Sequence, residues 1–225
     1  MAKNGSRESE REWLVDKIES IFNLKERAQS IGSTRSGQAI GAWLIKWNLD
    51  VFSPILDENP IYCRWVIESE LDGKLIPAFL DNWSMDSTSR TDQMAPGHPV
   101  IMWITGSKRG KNGMIYCIDP ETEGLYEVEP GLVGVGVVGS QRALGKEGAG
   151  DPNPGDYYYS IGIPLLEEPI ARSEIRMING WKDADVFRMP QMRNPLIATV
   201  EQWEALRVFL VENGYVDELM EVLRQ

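Results

Sequence analysis

Gly131-Leu132-Val133-Gly134-Val135-Gly136-Val137-Val138-Gly139 is the stretch on which the fold turns. Its inner glycines fit the G-x-G-x-x-G spacing of a dinucleotide-binding turn, but that device needs a strand before the first Gly and a helix opening at the motif. Here Val133, Val135, Val137 and Val138 lie inside the motif, and Leu144-Gly145-Lys146-Glu147-Gly148 after it is a poor helix. The segment therefore reads as a strand whose glycines admit a close neighbouring backbone, and the Rossmann reading is set aside. Outward from it, further short apolar or alternating runs predict strands at residues 42–47, 100–104, 114–118 and 157–163. Pro96-Gly97, residues 110–113, Pro130-Gly131 and residues 148–155 supply the turns between them.

Helical spacing occurs at both ends of the chain. Trp13, Leu14, Ile18, Ile21, Phe22 and Leu24 fall three and four apart between charges, which predicts an amphipathic helix over residues 8–31 capped by Ser6 or Ser9. Residues 32–37 are small and polar and read as a linker, placing a boundary near residue 38 between an N-terminal helical extension, 1–38, and a main domain, 39–225. Short helices are expected over 54–59, 171–178 and 200–213. Thr199 caps the last of these, and Gln202 completes a capping box. Residues 215–225 continue as a helical turn or two. The sum is an α+β fold in which a small twisted sheet, with Gly-rich connections at regular spacing, closes into a barrel flanked by helices.

Composition removes several functions. The single histidine, His98, excludes every mechanism that needs two, and Cys63 and Cys117 are too few for a disulfide scaffold and read as buried thiols. Asp81, Asp86 and Asp92, or Glu167-Glu168, lack the paired spacing of a metal nuclease and read as acidic surface, so neither a metal nor another cofactor is expected, nor a catalytic residue. No apolar run approaches the roughly 20 residues of a membrane span, and no apolar signal segment follows the N-terminus, so the expected location is the cytoplasm. With 23 Lys+Arg against 34 Asp+Glu, the net charge of −11 disfavours nonspecific binding of nucleic acid while leaving room for a local basic patch. Ser107-Lys108-Arg109-Gly110-Lys111-Asn112-Gly113 is such a patch: a Gly-rich turn with three cations suits a phosphate contact, and equally suits a solvated hairpin tip. Trp43, Trp103 and Trp203 read as core. Trp65 and Trp83 stand in mixed polar settings near expected loops, where an indole face suits stacking on a planar ligand.

Taken in order, these segments resemble the EVE domain of the PUA-like superfamily, a relative of the YTH domain. Residues 43–48 look like its first strand, and Ile61-Tyr62-Cys63-Arg64-Trp65 is similar to the segment that delivers a cage tryptophan in YTH domains. Residues 96–106 resemble the family's G-D-x-V-hydrophobic-W-x-x-G strand, and residues 131–139 its G-I-x-x-x-G-x-V-x-G strand. Tyr157 to Leu166 with the Glu168-Pro169-Ile170 turn, and Thr199-Val200-Glu201-Gln202-Trp203 opening the last helix, follow in the same order. The likeness spans residues 40–213. His98 stands where the family has Asp, an insertion carries Trp83, residues 107–130 read as an added hairpin, and the loop before Tyr157 has no Trp.

The resemblance implies a non-enzymatic reader that flips a modified, for instance methylated, base out of DNA, or second to that RNA, into an aromatic pocket, a role that suits the sensor of a restriction or defence system. On that reading Trp65 is the main wall, Trp83 or Trp47 the opposing face, Asn48 and Ser69 read the base edge, and Lys108, Arg109 and Lys111 hold the flanking phosphates. The competing reading is a regulatory subunit that keeps the fold and docks a protein partner through its N-terminal helix and acidic surface.

Overall fold

The computed structural model describes residues 4–50, 60–63, 79–85, 90–108, 110–119, 121–144, 157–188 and 195–224. Along the chain these form α1 (Asn4–Ile21), β1 (Gly32–Ser33), β2 (Ala39–Trp47), β3 (Ile61–Tyr62), β4 (Phe79–Met85), β5 (Pro99–Ile104), β6 (Ile115–Ile118), β7 (Leu125–Val128), β8 (Gly131–Leu144), β9 (Tyr157–Gly162), β10 (Leu165–Ala171), α2 (Arg172–Met177), α3 (Asp185–Arg188), β11 (Leu196–Thr199), α4 (Val200–Glu212) and α5 (Tyr215–Arg224). The fold is α+β, with an eight-stranded mixed sheet ordered β1-β2-β5-β8-β9-β4, β10 added to β8 and β11 to β2, and a three-stranded sheet ordered β3-β6-β7.

Both faces of the central strands β2 and β5 and of residues 132–138 of β8 are buried, which is why these segments read as continuous apolar runs. Successive side chains on a strand point to opposite faces. Ala42, Leu44, Ile101, Trp103, Val135 and Val137 join one core with Leu14 and Ile18 of α1 and with Trp203, Leu206 and Leu219 of the C-terminal helices. Trp43, Ile45, Val100, Met102, Val133 and Val138 join a second core with Tyr62, Ile115 and Cys117 of the small sheet. Helices, large sheet and small sheet thus make three layers.

The Gly-rich strand behaves as its valines demand. A Cβ at Gly136 would stand 1.8 Å from the Gly162 carbonyl oxygen, and one at Gly139 would stand 2.1 Å from Ser160 Oγ. These glycines let β9 and β10 share one edge of β8, β10 along its first residues and β9 along its last. That use of the edge also corrects the expected barrel: β1 and β11 line the outer edge of β2, β4 ends the other side, and among the described residues the sheet stays open.

Several local expectations change with long-range contacts. Helix α1 stops at Ile21 rather than near residue 31. The buried Arg207 guanidinium donates to the Asn23 and Glu26 carbonyls, 2.8 and 2.9 Å away, and holds the chain in an irregular turn there. Residues 32–37 form β1 and a tight turn closed by Gly37 N–H to the Thr34 carbonyl at 2.9 Å, so β1 pairs with β2 across the expected boundary at residue 38. The Pro169 turn is a strand, β10, whose register slips between Leu165 and Ile170, the kind of irregularity where a strand tolerates a residue without an N–H. Trp83 lies in strand β4, paired with β9. The expected helix over 54–59 and the loop over 148–155 lie outside the described residues. At the C-terminus the capping box is present, Thr199 Oγ1 accepting from Gln202 N–H at 3.2 Å and Gln202 Oε1 accepting from Thr199 N–H at 2.9 Å. The final helix is a full ten residues, its Leu223 carbonyl capped by Arg11 Nε at 2.6 Å. Among the described residues no helix is long and apolar enough to cross a membrane.

Candidate functional site

Strands β2 and β5 run parallel with Trp47 opposite Ile104, so both end at the same margin of the large sheet. Thr105 extends the pairing by donating its N–H to the Trp47 carbonyl at 2.9 Å. From that margin two loops emerge, one opening at Asn48 and one at Thr105. Asp50 ties them together. Its N–H donates to Asn48 Oδ1 at 2.9 Å, an Asx turn that orders the first loop. Its carboxylate accepts the Ser107 hydroxyl and, at 2.8 Å, the Lys108 N–H from the second.

The second loop is folded tightly on itself. A Cβ at Gly110 would lie 1.7 Å from the Met114 carbonyl oxygen, so no other residue fits there without moving backbone. Gly113 N–H bonds the Gly110 carbonyl at 3.2 Å and Met114 N–H the Lys111 carbonyl at 3.0 Å. With the Lys108 N–H given to Asp50, the N–H groups of Lys108, Gly113 and Met114 are all engaged within the protein. Lys108 and Lys111 are exposed.

Of the residues singled out from sequence, Asn48 and Lys108 are thus brought to one rim, both exposed, while Lys111 is exposed farther along the second loop. Trp47 lies beneath it, 1% exposed, its ring edge-on to Tyr62 with centroids 6.4 Å apart. Such a ring fills the second core and presents no open face. Tyr62 ends β3, two residues of sequence before Arg64. Trp83 sits in β4 opposite Tyr159 of β9. Trp65, Ser69 and Arg109 lie outside the described residues. Asp50, Ser107 and Thr105 were missed. The Asn48-Leu49-Asp50 turn was the signal available, whereas the reach of Asp50 across 57 residues to Ser107 left none.

Other chemistry-bearing groups among the described residues are partly or fully buried in the fold. His98 Nδ1 accepts Trp43 Nε1–H at 3.3 Å and Ala95 N–H at 3.2 Å, so the ring is neutral with its proton on Nε2, and burial holds its pKa below the ordinary value. Burial also lowers the pKa of half-buried Lys46 on β2. Cys63 and Cys117 are buried unbridged thiols. Burial pushes Cys117 up to about 12, with Glu168 and Cys63 adding to the shift. No group of three His, Cys, Asp or Glu side chains is placed to hold a metal ion among the described residues.

Compared with known proteins, the chain matches no protein-family model, no curated protein and no solved structure.

Proposed function

We propose that the chain is a reader of a modified nucleobase in DNA or RNA, built on a PUA-like, EVE-type fold, that acts by binding rather than by catalysis. The observation that carries the reading is the Asp50 clamp, because it fixes a candidate base-edge reader, Asn48, and a candidate phosphate contact, Lys108, on one rim at the ends of two parallel strands. The order of the sequence motifs supplies the rest. An extruded base costs a few kcal/mol of unstacking, which aromatic faces and edge hydrogen bonds offset. With Trp47 packed in the core, stacking falls to Trp65 and Trp83, and Ser69 joins Asn48 at the base edge. Lys108, Arg109 and Lys111 hold flanking phosphates, a small footprint that suits a chain of net charge −11.

The test is fluorescence anisotropy of labelled oligonucleotides, single and double stranded, carrying methylcytosine or methyladenine beside unmodified controls. Preference for one modified strand, lost in Trp65→Ala, supports the reading. Lys108→Ala with Lys111→Ala is expected to weaken modified and unmodified strands alike and to flatten the salt dependence. Equal affinity for modified and unmodified strands at every salt concentration refutes it.

A further inference from the structure

The apolar face of α1 is spent on the protein's own core, since Leu14 and Ile18 are fully buried against the large sheet. An unspent apolar surface lies elsewhere. Between α2 and α4 runs an open groove of about 800 Å³ whose lining includes Met177, Ile178, Ala205, Val208 and Phe209. Met177 is 86% exposed, the most exposed large apolar side chain among the described residues. A long unbranched thioether held out in water beside a recess loses contacts that a partner would restore, and such side chains adapt to varied apolar ligands.

The rim of the groove has one dominant sign. Glu174, Glu201 and Glu212 stand along it, with Arg27 the single cation in the lining. Glu201 and Glu212 pair with no cation among the described residues, while Glu204 is already engaged by Ala28 N–H at 2.8 Å and by Arg207 at 3.2 Å. Glu174 also borders a neighbouring recess that carries Glu167, Glu168 and Glu218, so the acidic edge continues past the groove. A chain of charge −11 could disperse these acids, and here they border an apolar trough.

We infer that the α2–α4 groove docks a basic amphipathic helix of a partner protein, apolar side chains on Met177, Val208 and Phe209 and Lys or Arg against Glu174, Glu201 and Glu212. The thirteen residues of α4 make a wall about 20 Å long, room for roughly four turns of a helix lying along it with anchors at i, i+3 or i+4, and i+7. Charge complementarity selects a basic partner over an acidic or neutral one and disfavours nucleic acid on this face. The proposal does not rest on base reading.

The probe is a displayed library of random peptides about 16 residues long, a length matched to the groove wall, panned on the full chain, with binders remeasured by anisotropy against variants. Met177→Lys keeps an exposed side chain and reverses the complementarity, and Glu201→Lys with Glu212→Lys does the same at the rim; neither touches the core. Enriched peptides that are basic, carry apolar residues at helical spacing, and bind each variant at least about tenfold more weakly establish the docking site. Enrichment of acidic or unpatterned peptides, unchanged binding to both variants, or no enrichment overturns it. Sedimentation of the chain alone completes the test: a dimer that Met177→Lys dissociates makes a second copy the occupant and overturns the assignment to a basic partner.

Discussion

Gly136→Ala tests the reading of the Gly-rich strand most directly. The added Cβ would stand 1.8 Å from the Gly162 carbonyl oxygen, 2.6 Å from Ile163 Cγ1 and 2.7 Å from Ile163 Cα. Bringing the oxygen alone to a tolerated distance of about 3 Å moves the end of β9 by more than about 1 Å, and no flexible side-chain tip can absorb the shift. Nor is there space behind it, because a Cβ at Gly162 would itself meet Leu14 Cδ1 at 2.5 Å, so the displacement pushes on α1. Overpacking of this kind costs about 1–3 kcal/mol, and the backbone contact puts this case at the upper end. For a chain of this size that lowers Tm by roughly 6–12 °C. Gly124→Ala is the control, its only close neighbour among the described residues being Thr122 Oγ1 at 3.2 Å, and it leaves Tm within about 2 °C. Thermal unfolding followed by circular dichroism reads both. A Gly136→Ala protein melting with the parent would refute the close approach and reopen the dinucleotide-type reading of the motif.

Two further predictions follow from buried polar groups. Arg207, 3% exposed, holds the Asn23 and Glu26 carbonyls and Glu204, so Arg207→Ala is expected to cost about 2–4 kcal/mol in urea unfolding and to speed amide exchange at Ala28, whose N–H rests on the same Glu204; unchanged exchange there would show that the turn holds without it. His98 is neutral in the fold and its pKa is lowered, so the unfolded chain takes up a proton first; stability is complete above pH 6.5 and falls as pH drops below that value toward the depressed pKa. His98→Gln removes this part of the slope in denaturant midpoints measured between pH 5 and 7, and identical slopes in the two proteins would contradict the assignment.

Strand character at residues 131–139 and the capping box at Thr199 and Gln202 follow from side-chain chemistry within a few residues, and the sequence alone determined them. β-branching and a cap hydroxyl act locally. What lay beyond it depended on partners far along the chain. Trp47 reads from sequence as a cage wall, and only the structure sets Tyr62 against it and buries it in the core. Residues 22–31 keep a helical spacing that Arg207, about 180 positions away, overrides by capturing their carbonyls. Pro169 signals a turn, yet the free edge of β8 draws it into a strand. Asp50 carries no motif, and its meaning comes from the parallel pairing of β2 with β5, which delivers Ser107 and Lys108 to its carboxylate. Local propensity set the elements; which edges and faces they meet was decided by tertiary packing, because burial and hydrogen-bond satisfaction are settled only when distant segments compete for the same surface.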